Sequence, residues 1–102
     1  MQVIYSTVFD DFFDIMSTDK KEIVQTILTK LESITNRIEI EQQFQLVKTR
    51  RLDSVERYTY IMKLDQDIRL IFRIENNVIY MDNIIFKNSL MEKYLNNGGE
   101  NA

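Results

Sequence analysis

The spacing of apolar side chains changes near Tyr58, and this change limits the folds that the sequence can adopt. Before that point apolar residues recur about every 3.6 residues, which is typical of helices that bury one face. From Tyr58 to Phe86 they alternate with a period of two, which is typical of strands. A chain of 102 residues with helices first and strands afterwards is predicted to be a single α+β domain.

Two helices are predicted in the first third of the chain. From Val8 to Met16, three phenylalanines lie on one helix face and three aspartates on the other. A second helix of about fifteen residues is expected to begin with Asp19 as its N-cap and Glu22 as the carboxylate that bonds back to it. It ends near Thr35, and the short link between the helices predicts an antiparallel helical hairpin.

The second half predicts a three-stranded antiparallel meander. Its strands are Tyr58–Leu64, Ile68–Glu75 and Val78–Phe86. Asn76 and Asn77 form a tight hairpin signal, because asparagine tolerates positive φ. The third strand is nearly continuous in apolar residues, which predicts a central strand covered on both faces.

Four further segments complete the order of elements. A short strand over residues 2–6 begins the domain. Residues 36–43 are polar and predicted to be irregular, and residues 44–57 fit either a loop or a loop with a short strand. Ser89 and Glu92 form a second capping box, which predicts a short closing helix.

Together these elements predict one domain over residues 1–96, followed by a disordered tail over 97–102. The fold class is α+β, with an N-terminal strand and a helical hairpin packed on an antiparallel sheet that ends in a short helix. The helices are expected on one sheet face, while the other face stays partly open and carries Arg69 and Arg73.

Absent residue types exclude several kinds of site. The chain has no Cys and no His, which excludes thiol nucleophiles, Ser–His triads and His-ligated or thiolate metal sites. The only glycines are Gly98 and Gly99, so no glycine-rich phosphate loop is present. No cofactor and no metal are therefore predicted. No apolar run approaches the roughly 20 residues of a membrane span, and we expect a cytoplasmic protein without a membrane partner.

The net charge of −3 conceals an uneven distribution. Residues 48–73 carry 7 of the 13 basic side chains against 4 acidic ones, whereas residues 1–47 carry 4 basic and 8 acidic ones. A locally basic face is typical of a site for a polyanion. A solvated sheet face with mixed charge explains the same pattern, so both interpretations stay open.

The second half of the sequence contains five segments in a defined order. They are Tyr60-Ile-Met-Lys63-Leu, then after a short turn Ile68-Arg69-Leu70-Ile71-Phe72, then the hairpin Asn76-Asn77-Val78-Ile79, then Phe86-Lys87, and finally Tyr94. This order resembles the RelE/ParE toxin superfamily of bacterial toxin–antitoxin systems. The resemblance covers most of the chain, from Val3 to about Leu95. It implies a metal-independent endonuclease that cuts ribosome-bound mRNA and inhibits translation.

In that chemistry the 2′-OH of the RNA attacks the adjacent phosphorus, so the protein supplies proton transfer and positive charge. The residues that match the family's catalytic positions are Lys63, Arg69, Lys87 and Tyr94. Arg69 would clamp the phosphate, Lys63 would act as the base, and Lys87 would stabilise the transition state. Tyr94 would stack on a base or transfer a proton. An ordinary role as surface charge or core packing stays open for each of the four.

The same resemblance implies that further basic residues hold ribosomal or messenger phosphates. These are Lys48, Arg50, Arg51 and Arg73. It also implies a cognate antitoxin protein as a partner, and it leaves a homodimer open.

A non-catalytic binding module of the same fold is the alternative function, either a gyrase-directed toxin or a degenerate one. Two departures favour it. The sequence pI is about 4.9, although such ribosome-binding toxins tend to be basic. Ile61 stands where some active members have a second lysine.

Overall fold

The computed structural model describes residues 1–50 and 58–86, and the side chains of residues 49 and 50 are not among the described atoms. The helices are α1 (Thr7–Asp14), α2 (Thr18–Ser33) and α3 (Arg37–Gln43). The strands are β1 (Gln2–Tyr5), β2 (Leu46–Arg50), β3 (Tyr58–Lys63), β4 (Ile68–Glu75) and β5 (Val78–Phe86). The predicted α+β class is confirmed. The closing helix predicted at Ser89 and the tail over 97–102 lie outside the described residues.

Short polar side chains begin all three helices. Ser6 accepts a hydrogen bond from the amide of Phe9, and Asn36 accepts one from the amide of Glu39. Ser17 is the N-cap of α2, because its extended backbone lets its hydroxyl accept from the amide of Lys20. The predicted N-cap at Asp19 is therefore wrong by two residues. Asp19 lies inside the first turn, where the helix dipole interacts favourably with its carboxylate.

Residues 36–43 form the N-cap and the whole of helix α3 instead of an irregular segment, which corrects the prediction for that stretch. Asn36 is the N-cap of α3, and Glu39 bonds back to the amide and hydroxyl of Thr35. This pattern differs from a capping box only in that the Glu39 carboxylate bonds to the residue before the N-cap instead of to the N-cap amide. Ile40 is fully buried and holds the short helix against the core. For the stretch that begins at residue 44, the alternative with a short strand is observed, because β2 pairs with β3. Residues 51–57 lie outside the described residues.

The sheet has five strands in the order β1-β5-β4-β3-β2. The predicted meander β3-β4-β5 is antiparallel, and it turns through Asn76 and Asn77 with φ of 51° and 62°. These values fit the tight two-residue hairpin expected there. The sheet is not wholly antiparallel, however, because β1 pairs with β5 in parallel register. A register shift beside Ile71 and Phe72 interrupts the β4–β5 ladder.

One face of the sheet is buried under the helices. The core cluster includes Phe9 of α1, Leu31 of α2, Ile40 of α3 and, from the sheet, Tyr60 and Phe72. On β4 every second residue is buried, and the alternate residues are only partly covered. We call this second side of the sheet the open face.

β5 alternates as β4 does from Val78 to Met81, and the alternation breaks at Asp82 and Asn83. Ile79 and Met81 are buried, while Val78 and Tyr80 are only partly covered. The prediction that both faces of this strand are covered is therefore wrong, although β5 does lie between β1 and β4. Among the described residues, no helix is long and apolar enough to cross a membrane.

Candidate functional site

Lys63 and Arg69 lie directly opposite each other where β3 and β4 meet their connecting turn. Directly opposed residues of an antiparallel pair have Cα atoms about 4.5–5.5 Å apart and side chains on the same face. Both side chains therefore extend from the open face, with Lys63 exposed and Arg69 partly covered. Like charges in opposed positions destabilise a sheet. Such a pair is expected at a surface that binds an anion.

The turn between these strands carries two carboxylates, and both are directed to Lys20 of α2. The Lys20 Nζ lies 3.2 Å from Oδ2 of Asp65 and 3.3 Å from Oδ2 of Asp67. The other oxygen of Asp65 accepts hydrogen bonds from the amides of Asp67 and Ile68. Partial burial opposes ionisation of Asp65, but these hydrogen bonds lower its pKa overall.

Within residues 1–50 and 58–86, neither Lys63 nor Arg69 forms an ion pair with a carboxylate. Arg69 Nη1 donates one long hydrogen bond, of 3.4 Å, to the carbonyl of Gln66 in the turn. The remaining N–H donors of its guanidinium make no hydrogen bond in this part of the chain. The pair therefore has donors available for a ligand with two or more oxygens.

Arg73 lies on the same open face, but two carboxylates engage it. Its Nε and Nη2 bond to the two oxygens of Asp82 at 2.6 and 3.1 Å. Its Nη1 bonds to Glu75 at 2.9 Å, and its guanidinium lies 5.1 Å from the ring centroid of Tyr80. The hydrogen bonds to Asp82 raise the pKa of the guanidinium. Arg73 therefore contributes no uncompensated charge to the open face.

Lys48 lies on the opposite side of the sheet from Lys63 and Arg69. Its register partner is Tyr60, which is fully buried beneath the helices. The Lys48 Nζ lies 2.9 Å from Oε1 of Glu41 and bonds to it. A ligand held by Lys63 and Arg69 would therefore be separated from Lys48 by the sheet.

The interactions of Lys48 belong to a polar cluster that the sequence did not reveal. Glu41 accepts from both Lys48 and the Tyr60 hydroxyl, and the Lys48 bond lowers the pKa of Glu41. Burial raises the pKa of Tyr60 to about 12. Arg37 completes the cluster with its guanidinium 4.2 Å from the centroid of Tyr58. The capping pattern at the start of α3 was the signal that could have placed Arg37 and Glu41 on one helix turn.

The eight predicted site residues therefore separate into three groups. Lys63, Arg69 and Arg73 share the open face, with only the first two uncompensated, and Lys48 lies on the other side. Arg50 belongs to β2, but its side chain lies outside the described atoms. Arg51, Lys87 and Tyr94 lie outside the described residues. In the described part of the chain, no three acidic residues come together as metal ligands would.

One solved structure is similar to this fold over nearly its whole length. It is the crystal structure of an archaeal RelE-RelB complex from Pyrococcus horikoshii OT3, matched with a TM-score of 0.66. The match covers 86% of this chain and 96% of that one, at 13% sequence identity. No family model and no curated protein sequence matches the chain. The order of elements, the sheet and this structural match agree: the chain has the RelE-like α+β fold.

Proposed function

We propose that the protein is the toxin of a toxin–antitoxin module and that it cuts mRNA on the ribosome. Two observations support this proposal. The chain has the RelE-like fold. The single observation that carries the chemistry is the uncompensated pair of Lys63 and Arg69 on the open face, since a phosphodiester under attack gains negative charge.

The reaction needs no protein nucleophile. The 2′-OH of the RNA gives its proton to a base as its oxygen bonds to the adjacent phosphorus. The P–O5′ bond breaks, the 5′-oxygen takes up a proton from an acid, and a 2′,3′-cyclic phosphate results. Arg69 offers two parallel N–H donors to the non-bridging oxygens, and Lys63 supplies a second positive charge beside it. Proton transfer would involve Lys63, Lys87 and Tyr94, as the family resemblance implies.

An antitoxin is the proposed protein partner. The similar solved structure is a RelE-RelB complex, so a protein of this fold does assemble with a second chain. The open face exposes apolar side chains on three strands, namely Ile4, Val47 and Ile85. An acidic, amphipathic segment would cover these residues and neutralise Lys63 and Arg69. Purification from the native host should recover such a small partner, and its absence would count against the toxin–antitoxin assignment.

The catalytic proposal is tested by expressing the chain alone in a bacterial host and mapping the 5′ ends of transcripts. The wild type should slow growth and cut translated messages. Arg69→Ala should reduce cleavage by about 10²–10³-fold, the usual cost of removing one transition-state donor. Arg69→Lys keeps the charge but loses the paired donors, so it should be intermediate. Lys30→Ala, on the exposed surface of α2, is the matched control and should leave cleavage unchanged.

The alternative is a binding module that inhibits growth without cutting RNA. The ion pairs of Arg73 with Asp82 and Glu75 favour this alternative. They leave only two uncompensated cations on the open face of the described residues to hold a phosphate backbone. Under this alternative, transcripts stay intact and Arg69→Ala does not relieve growth inhibition. That result would exclude the nuclease proposal and leave the RelE-like fold unaffected.

A further inference from the structure

A cavity of about 490 Å³ lies beside the cation pair on the open face. It is lined by Gln45, Leu46, Val47, Ile61, Lys63 and Arg69. Its volume falls within the range of about 300–1,000 Å³ that small-molecule sites occupy. The lining combines two cations, apolar side chains and one carboxamide, which suits a ligand with an anionic end and a flat, partly apolar end.

The sheet register places the apolar lining of the cavity, Val47 and Ile61, at a fixed distance from Lys63. Ile61 lies two residues before Lys63 on β3, and Val47 pairs with Ile61 from the neighbouring strand β2. Two residues of an antiparallel strand span about 6.8 Å. A ribose bridges a comparable gap between a phosphate and its base. A phosphate held by Lys63 and Arg69 would therefore bring a base over Val47 and Ile61.

Val47 is 61% exposed, although it lies on a strand whose other face packs towards the core. The side chain of Val47 is therefore accessible to a ligand beside the cation pair. Apolar side chains are established surfaces for an unstacked base. The two cations are immediate neighbours, so one phosphate can contact both.

Gln45 is the remaining wall of the cavity, one residue before β2. Its carboxamide makes no hydrogen bond within residues 1–50 and 58–86, so its donor and acceptor are available. A glutamine amide pairs with the N6 and N7 atoms of adenine through two hydrogen bonds. The polar edge of this cavity thus matches a purine, and adenine above all.

We propose that this cavity binds the nucleobase next to the phosphate held by Lys63 and Arg69, and that Gln45 selects adenine. The inference rests on the proposed function, because it names the base-binding subsite of the same site. It makes Gln45 a specificity-determining residue without a role in bond breaking.

The test uses the full chain and dinucleotides that cannot be cleaved because they lack the 2′-OH. Methyl and amide NMR signals are followed during titration with deoxy-ApA, deoxy-TpT and abasic deoxyribose phosphate. Deoxy-ApA should shift the signals of Val47 and Ile61 and bind about 5–150-fold more tightly than deoxy-TpT, the discrimination that one good bidentate pair gives against the wrong base. The abasic probe should bind more weakly than either. Signals of Val47 and Ile61 that do not move with any probe would overturn the proposal.

Gln45→Leu removes the carboxamide at nearly constant volume. It should abolish the preference for deoxy-ApA over deoxy-TpT while both still bind. Gln42→Leu makes the same change on the exposed surface of α3, away from the cavity, and should leave the preference intact. An adenine preference that survives Gln45→Leu would overturn the role of Gln45.

Failure of this inference can be distinguished from failure of the proposed function. Transcript cleavage that depends on Arg69 but shows no preference for adenine, and no change with Gln45→Leu, overturns the inference alone. Base-dependent binding in a protein that leaves transcripts intact supports the inference and removes the nuclease proposal. Binding of an acidic peptide in place of every nucleotide would assign the cavity to a protein partner and overturn the inference.

Discussion

Arg73 bonds to two carboxylates at once, so its removal is expected to affect folding stability more than activity. Arg73→Met leaves the Asp82 carboxylate without its guanidinium partner. Loss of charged hydrogen bonds of this kind costs about 1–3 kcal/mol in the free energy of unfolding. Urea denaturation followed by circular dichroism measures this change.

Arg73→Lys is the matched control, because it keeps the charge but cannot make the two-pronged contact with Asp82. It should lie between the wild type and Arg73→Met in stability. A fully stable Arg73→Met variant that instead loses nucleic-acid binding would show that Arg73 binds phosphate, as the sequence predicted.

Tyr60 is expected to ionise later than an ordinary tyrosine. Burial raises its pKa to about 12, and its bond to Glu41 adds to this effect. Because folding favours the neutral form of Tyr60, the Tyr60 phenol contributes fully to stability at any pH below the pKa of an unfolded tyrosine. That contribution is lost as pH rises from about 10 towards 12. Alkaline titration of tyrosinate absorbance should show a late step that disappears in Tyr60→Phe. A late step that persists in this variant would contradict the assignment.

At the scale of elements, the start of α2 gives a direct comparison of two side chains. Ser17→Ala removes the N-cap and should lower the free energy of unfolding by about 0.5–2 kcal/mol. Asp19→Ala removes only a favourable charge from the first turn and should cost about 0.3–1 kcal/mol. Thermal unfolding of both variants measures the order, and a larger loss for Asp19→Ala would restore Asp19 as the N-cap.

Elements whose partners are close along the chain were predictable from the sequence. The alternation from Tyr58 to Phe86 and the hairpin at Asn76 set the β3-β4-β5 meander, because each strand pairs with the next. β1 was found as a strand, but its parallel pairing with β5 depends on contacts across most of the chain. α3 was not predicted, because two isoleucines in seven residues give too weak a helical pattern of apolar residues. The capping side chains at Asn36 and Glu39 were the sequence signal for this helix.

The candidate site shows the same division. The opposition of Lys63 and Arg69 follows from the short turn between their strands, so it could be predicted from the sequence. The capture of Arg73 could not be predicted, because Asp82 lies on a neighbouring strand and its register includes a shift. The separation of Lys48 from Lys63 and Arg69 depends on which face of β2 turns towards the helices. The sequence fits either a loop or a short strand there, so it does not predict that face.

At the scale of the whole molecule, the net charge of −3 opposes RNA, and the proposed attraction rests on Lys63 and Arg69, the two uncompensated cations of the open face within residues 1–50 and 58–86. Binding of a single-stranded RNA through two phosphate contacts should give a slope of about −1.4 in log K against log salt, at about −0.7 per contact. Equilibrium titration at several salt concentrations measures this slope. A slope several times steeper would mean that basic residues beyond Lys63 and Arg69 bind phosphates.

The parallel ladder between β1 and β5 joins Gln2 to Val78, which are 76 positions apart, whereas Lys63 and Arg69 are only six apart. During synthesis at about 5–20 residues per second, β1 waits roughly 4–15 s before its partner strand exists. The β3–β4 hairpin can form early, because closing a short loop is fast and local. The nascent chain can therefore carry its cation pair on a hairpin before the sheet closes. Docking of β1 on β5 is therefore expected to follow formation of the β3–β4 hairpin.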